Sequence, residues 1–408
     1  MTDRSDIRAN PAWLTASMMR LKQQDGQGFD LPDQEYSMSR FLFLRGLAVS
    51  ASMLLMSSVH ARVIEVEGVK LNLPTAAQFA EATGIKPLEK PLNIKVCIFD
   101  PVGNNGPAVQ YAKDLILEAR RWNVFIEVKP YTDERVVAED FKAGQCDAAA
   151  ISTLRAKQFN HFIGSLDSVG SVRNYDQMRS VMRVLYTNPK VAPMMINGSY
   201  QIGGVVPLGA VYVMVNDRKI DSIEKAAGKK VAVLEWDKSQ AKMVQQLGAQ
   251  PVASDITNFA GKFNNGQVDI IAAPALAFRP FELYRGLGEK GAIYRLPLAM
   301  MTGAIVFNRD KFIKEVPDLD DKIQKIRNFA IGYLEQAYTL IDMVEKDIPA
   351  KYWLDLSDAD KEKYFGMMRE ARLQLTREGF YDPRMMGLLK RVRCRHEPQN
   401  AECALKDE

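Results

Sequence analysis

Hydrophobic and polar positions along the chain switch between two periods, and the switches mark the elements. Residues 93–99 (Asn-Ile-Lys-Val-Cys-Ile-Phe) are a short apolar run bounded by the loop Asp100-Pro-Val-Gly-Asn-Asn-Gly, which predicts a strand. Pro107 then opens a helix to about residue 121, with Val109, Ala112, Leu115, Ile116 and Ala119 on one face. A strand at 124–128, a helix capped by Thr132 or Asp133 and ending at Lys142, and a small-residue strand at 147–151 follow. Strand, helix, strand, helix, strand predicts a parallel sheet covered by helices.

The same grammar returns later. Strands at 230–234, 251–252 and 268–272 alternate with helices at 238–247, 255–263 and 276–284, and strands at 293–296 and 304–307 come back. Phe141-Lys-Ala-Gly-Gln-Cys-Asp-Ala-Ala-Ala-Ile and Phe263-Asn-Asn-Gly-Gln-Val-Asp-Ile-Ile-Ala-Ala both read as helix end, Gly turn, Asp and small-residue strand. Between the two runs the pattern predicts a helix at 173–185, then strands at 200–206 and 210–215 separated by the breaker Pro207-Leu-Gly. The last third is helical. One long helix is expected at 319–344, a second is capped by Ser357 with Asp360 in the capping-box position, and a third has Asp382 as cap and Pro383 as first residue. The expected class is α/β, with two parallel-rich lobes around a cleft (91–207 and 208–307) and a helical region (308–408) packing on them.

Composition narrows the class. The 408 residues are 47% hydrophobic with a net charge of +4, which excludes disorder and gives no nucleic-acid footprint. Residues 38–61 carry Arg40 and Arg45, an apolar run from Gly46 to Met56, and Val59-x-Ala61, the anatomy of a secretory signal peptide. The run is short for a span of about 20 residues. A periplasmic chain is expected, with translation starting at Met38 and residues 1–37 a non-structural extension. Cys394 and Cys403 enclose a short polar loop suited to a disulfide. Cys97 and Cys146 fall in or beside strands placed to be neighbours, as a disulfide or as buried thiols.

Catalytic motifs are missing: no G-x-S-x-G, P-loop or H-E-x-x-H occurs, and Gly103-Asn-Asn-Gly106 lacks dinucleotide spacing. With no C-x-x-C and two histidines beyond residue 61, no metal site and no cofactor are expected. Capture of a small molecule fits better than its transformation. Ligands bind such sheets at the carboxyl ends of parallel strands. That places Asp100, Asn104 and Asn105 after the first strand, against plain turn chemistry. Ser152, Thr153 and Arg155 follow the third, against a helix cap and a surface arginine. Tyr212 lines the cleft or is a core aromatic. Glu235, Trp236 and Asp237 follow the strand at 230–234; Trp236 is placed to stack on a ligand, or Asp237 is a cap.

The order and spacing of Ile220-Asp-Ser-Ile-Glu-Lys-Ala-Ala-Gly-Lys-Lys-Val, Gln246-Leu-Gly-Ala-Gln-Pro, Phe263-Asn-Asn-Gly-Gln-Val-Asp and Ala304-Ile-Val-Phe-Asn-Arg-Asp-Lys-Phe resemble the periplasmic solute-binding proteins of TRAP transporters. The resemblance covers about 91–350. It implies hinge closure of two lobes on one ligand and delivery to integral membrane transporter subunits. It also implies a ligand-clamping arginine and asparagine, at positions occupied here by Ala232 and Ala273. Arg279 is then the candidate replacement clamp, against a solvated helix face. The ligand is an organic acid or, given Ala232, a cationic or neutral compound. The competing readings are a soluble accessory of an export or efflux system and a periplasmic enzyme.

Overall fold

The computed structural model describes residues 62–66 and 69–408; the signal segment at 38–61 and the extension before it lie outside them. Two short strands, β1 (Arg62–Val66) and β2 (Val69–Leu73), form a separate antiparallel hairpin. The main sheet contains β3 (Leu92–Phe99), β4 (Val124–Tyr131), β5 (Ala148–Ser152), β6 (Ile196–Asn197), β7 (Tyr200–Val215), β8 (Lys230–Leu234), β9 (Gln250–Ser254), β10 (Ile270–Pro274), β11 (Ala292–Asn308) and β12 (Trp353–Leu354). Its order is β4-β3-β5-β11-β7-β10-β8-β9, with β6 on β7 and β12 on β11.

The outer strands are parallel within each half, and the two long central strands are antiparallel to each other and run through both halves. β5 joins β11 at one end and β10 joins β7 at the other, both antiparallel. The fold is thus mixed α/β around one large mixed sheet.

Four sequence expectations change. Pro207 does not split β7. Met301 pairs with Gly209 and Thr302 with Pro207, so Leu208 is bulged out and the missing N–H is absorbed there. The strands expected at 293–296 and 304–307 are one strand, β11, bent by irregularities around Pro297. The long helix expected at 319–344 is two, Leu319–Ala330 and Leu334–Asp347, joined by a tight turn over Ile331–Tyr333 that contains the poor helix former Gly332. The helix expected at 276–284 is a turn, Ala275–Ala277, then Tyr284–Leu287. Pro280 disfavours helical backbone at Arg279 and lacks the N–H a helix needs. The hairpin β1–β2, the helix Ala76–Thr83 and β12 carry no periodic signal long enough to have been read.

The repeated phrase is a repeated structure. The Asp147 carboxylate accepts the Lys95 N–H of β3 at 2.8 Å, and that of Asp269 accepts the Lys230 N–H of β8 at 2.9 Å. Each aspartate's own N–H returns a bond of 2.8 Å to the same lysine's carbonyl. Gly144 (φ +73°) and Gly266 (φ +68°) supply the left-handed turn before each, where a side chain would be strained. Phe141 and Phe263 are both buried below it.

All four cysteines pair, Cys97 with Cys146 and Cys394 with Cys403, with Cα separations of 5.9 and 5.6 Å. The C-terminal helices Asp358–Arg377 and Pro383–His396 are bolted to the segment after β5. Buried Arg372 donates to the Val169 carbonyl at 2.9 Å and buried Arg393 to that of Ser171 at 2.8 Å. Glu402 and Glu408 neutralise the two guanidiniums.

Candidate functional site

The loops at the carboxyl ends of β5 and β8 meet. Arg155 comes from the short helix Thr153–Ala156, whose cap is Ser152 accepting the Arg155 N–H at 3.1 Å. Its guanidinium lies 4.2 Å from the ring centroid of Trp236, which follows β8 in the other half of the sheet. Beneath it sits Glu134, the first residue of the helix Glu134–Lys142 and fully buried. One Glu134 oxygen accepts the Ser152 N–H and the other lies 3.7 Å from Arg155 Nε. Burial raises the Glu134 carboxyl above its ordinary range, opposed by the Ser152 bonds and the Arg155 charge. Burial also lowers Arg155, against the pull of Glu134.

A second buried carboxylate lies deeper. Asp167 accepts from Thr153 Oγ1 (2.5 Å), Thr302 N (3.0 Å) and Thr302 Oγ1 (2.6 Å), tying the segment after β5 to β11 opposite the β7 bulge. Burial pushes it up to about 7 in spite of those bonds, and Glu134 adds to the rise. Lys157 completes the group. It lies 5.0 Å from the Tyr381 ring; burial lowers it and the charge of Asp237 raises it.

The other expected residues fall elsewhere or are occupied. Asp100 is buried and accepts the N–H groups of Val102, Ala108 and Val109 at 3.0, 2.9 and 3.2 Å. A Cβ on Gly106 would sit 1.8 Å from its Oδ1, so this residue organises the turn and helix start. Asn104 and Asn105 are exposed, and Asn104 holds Lys113 through its Oδ1 at 3.0 Å. Tyr212 is buried against Trp353 (ring centroids 5.0 Å) and donates to Glu345 at 2.9 Å, facing the helix Leu334–Asp347. Arg279 has a side chain 64% exposed and holds Asp347 through two bonds, the solvated arrangement. Asp237 has interactions of its own. Ala232 packs half-buried against the core, and Ala273 is buried, paired with Tyr212 across β10 and β7.

Glu134, Asp167, Lys157 and Thr302 escaped the sequence reading. Glu134 looks like an ordinary first-turn acid, and Asp167 and Thr302 become neighbours only through the sheet. A recess of about 620 Å³ lined by Asp217, Arg218, Lys219, Glu289, Lys290, Lys351 and Tyr352 lies apart from this group. Among the described residues no cluster suits a metal ion, and no helix is long and apolar enough to cross a membrane.

This architecture is found in solved TRAP periplasmic solute-binding proteins. One from Desulfovibrio salexigens, with bound orotic acid, has a TM-score of 0.59 at 16% identity over 74% of this chain and 99% of its own. One from Shewanella oneidensis, with bound succinate, has a TM-score of 0.59 at 15% identity over 74% and 99%. One from Haemophilus influenzae, with bound L-gulonate, has a TM-score of 0.60 at 12% identity over 74% and 99%. The class is therefore a TRAP-type binding-protein fold. A family model described as Solute-binding protein AdeT 1/2 matches residues 117–408, and the chain belongs to that family. Probable solute-binding protein AdeT1 of Acinetobacter baumannii is 46% identical over 311 residues, 76% of this chain and 100% of its own. AdeT2 of the same organism is 27% identical over 243 residues, 60% and 99%.

Proposed function

We propose that this chain is exported through the signal segment at 38–61 and captures a small molecule outside the cytoplasm. The capture site lies between lobes at 91–207 and 208–307, which close by a hinge in β7 and β11 and pass the ligand to integral membrane transporter subunits. The observation that carries the reading is the meeting of Arg155 and Trp236, which brings the carboxyl-end loops of the two parallel half-sheets together over buried Glu134. Carboxyl ends of parallel strands are where such sheets take ligands. Solved neighbours hold orotic acid, succinate and L-gulonate, which makes organic and sugar acids the first compounds to test.

Thermal melting of the purified chain against organic acids, sugar acids, amines and cationic drugs tests the reading. A ligand at 100 times its Kd stabilises the folded state by about 2.7 kcal/mol and raises the melting temperature. A panel without any shift sinks it. The export half predicts a periplasmic protein whose mass corresponds to cleavage after Ala61.

A further inference from the structure

We infer that Arg155, stacked on Trp236, is the anion clamp of this site and that it selects a flat monocarboxylate with an otherwise apolar body. The inference rests on the capture reading and names its ligand class.

A guanidinium carries five N–H donors and keeps its charge at every physiological pH. The Arg155 side chain is only 13% exposed, and its Nε is buried without a hydrogen-bond partner among the described residues. Its nearest carboxylate, Glu134, stands 3.7 Å from Nε, and the other Glu134 oxygen already accepts from Ser152. Glu134 thus holds the guanidinium from the Nε side, chiefly by charge. The terminal N–H groups of the fork are then the ones left for an acceptor from outside, and a carboxylate matches their geometry.

Trp236 adds the shape. An anion paired in the guanidinium plane carries its body out over the same indole face, 4.2 Å below the guanidinium carbon, and a flat body stacks there. The rest of the site sets the charge count. Ala232 and Ala273 pack on the core and offer no side-chain donor. Arg135, whose charge acts on Arg155, is paired with Asp133, and Lys157 is engaged with Tyr381 and the charge of Asp237. Glu134 lies behind Arg155, and its charge opposes a second carboxylate. Dicarboxylates and polyhydroxy acids are therefore disfavoured, because their further polar groups are desolvated without a second clamp.

The test is calorimetric titration of the full chain at pH 7 with benzoate, succinate, L-gulonate and benzylamine. Benzoate should bind, with succinate and gulonate at least about 10-fold weaker, because their unpaired polar groups are desolvated. Arg155→Gln should weaken benzoate about 100-fold and Arg155→Lys about 10-fold, the loss of a charge-assisted pair and of its fork geometry. Trp236→Phe should stay within about 3-fold, and Trp236→Ala should lose about 10-fold. Benzoate binding within about 3-fold of wild type in folded Arg155→Gln overturns the clamp. Should that variant not fold, undiminished binding by Arg155→Lys does so. Preference for succinate, gulonate or benzylamine overturns the ligand class and leaves the capture reading standing. No binding by any of the four, where the wider melting panel finds a ligand, overturns the inference alone; an empty wider panel overturns both.

Discussion

The two halves of the sheet share a skeleton and differ in chemistry. Asp147 and Asp269 make the same ladder bonds to Lys95 and Lys230, which sets the correspondence between the halves residue by residue. Counting on from those lysines, Cys97 corresponds to Ala232, and Cys146 to Val268. In the first half that position is a disulfide buried in the core; in the second it is an alanine packed on the same core. Ala232 is a packing site in this chain, and an arginine there would bring a charge against apolar neighbours. Most ionisable groups of the candidate site, Glu134, Arg155, Lys157 and Asp167, come from the first half or the segment after it, while the second contributes Trp236 and the charge of Asp237. The comparison teaches that one skeleton can carry different chemistry, with most of the charged groups of the candidate site in one half.

The C-terminal helices treat the halves unequally too, and the largest predicted effect follows from that. They hold the first half through the buried ion network of Arg372 and Arg393, and the second through a buried apolar cluster of Tyr364, Met368 and Ala371 with Ile220, Ala226 and Ile270 and through exposed pairs such as Lys242–Glu378 and Lys363–Glu224. Arg393→Ala removes one of the buried guanidiniums that hold Glu402 and Glu408, leaving them to Arg372 and Arg173, and should cost about 3–5 kcal/mol in urea unfolding. Lys242→Ala should cost under about 1 kcal/mol. Equal losses would mean that the helices grip both halves alike.

Asp167 gives the next effect. An ordinary aspartate titrates near pH 4, and burial pushes this one up to about 7. Between those values the folded protein keeps a proton that the unfolded chain has released. The stabilisation is complete below about pH 4 and is lost as pH rises through 7. Asp167→Asn stays neutral, so its stability relative to wild type should grow by on the order of 2–4 kcal/mol from pH 4 to pH 8. A difference that stays flat in urea melts across this range removes Asp167 as a buried titrating group.

Much of the frame was legible because it rests on local chemistry. Pro107, Asp133, Ser357 and Asp382-Pro383 start helices where capping rules place them, and residues 230–234 form the strand their pattern predicts. The misreadings come from partners distant in sequence. Pro207 reads as a breaker until the bulge opposite Thr302 accommodates it. The site divides the same way. Arg155 and Trp236 were visible as polar and aromatic residues after strands, yet their stacking depends on two loops from different halves. Asp167 sits in an aperiodic segment and gains its place from Thr302, 135 positions away.

The staple distinguishes the halves directly. Removing it with Cys97→Ala and Cys146→Ala should cost about 2–4 kcal/mol, chiefly by freeing the unfolded chain, if both alanines fit the core. The correspondence makes the reverse experiment available: Ala232→Cys with Val268→Cys should form a disulfide under oxidising conditions and stabilise by about 2–3 kcal/mol over its reduced form. Free thiols after oxidation would break the residue correspondence at the strand following Gly228.

The smallest effect tests the feature the halves share. Asp147→Ala removes the acceptor of the Lys95 N–H and of Lys311 Nζ, 2.8 Å away; Asp269→Ala removes the acceptor of the Lys230 N–H and of Asn216 Nδ2, 3.2 Å away. Each leaves one strand N–H without its partner, so each should cost about 1–3 kcal/mol. The Lys311 pair is partly exposed and adds less than about 1 kcal/mol to the first. The two losses should therefore agree within about 1 kcal/mol in urea melts at pH 7. A loss at Asp147 with none at Asp269 would show that the second ladder survives on packing alone. The repeat would then be a likeness of sequence and geometry without a shared energetic role.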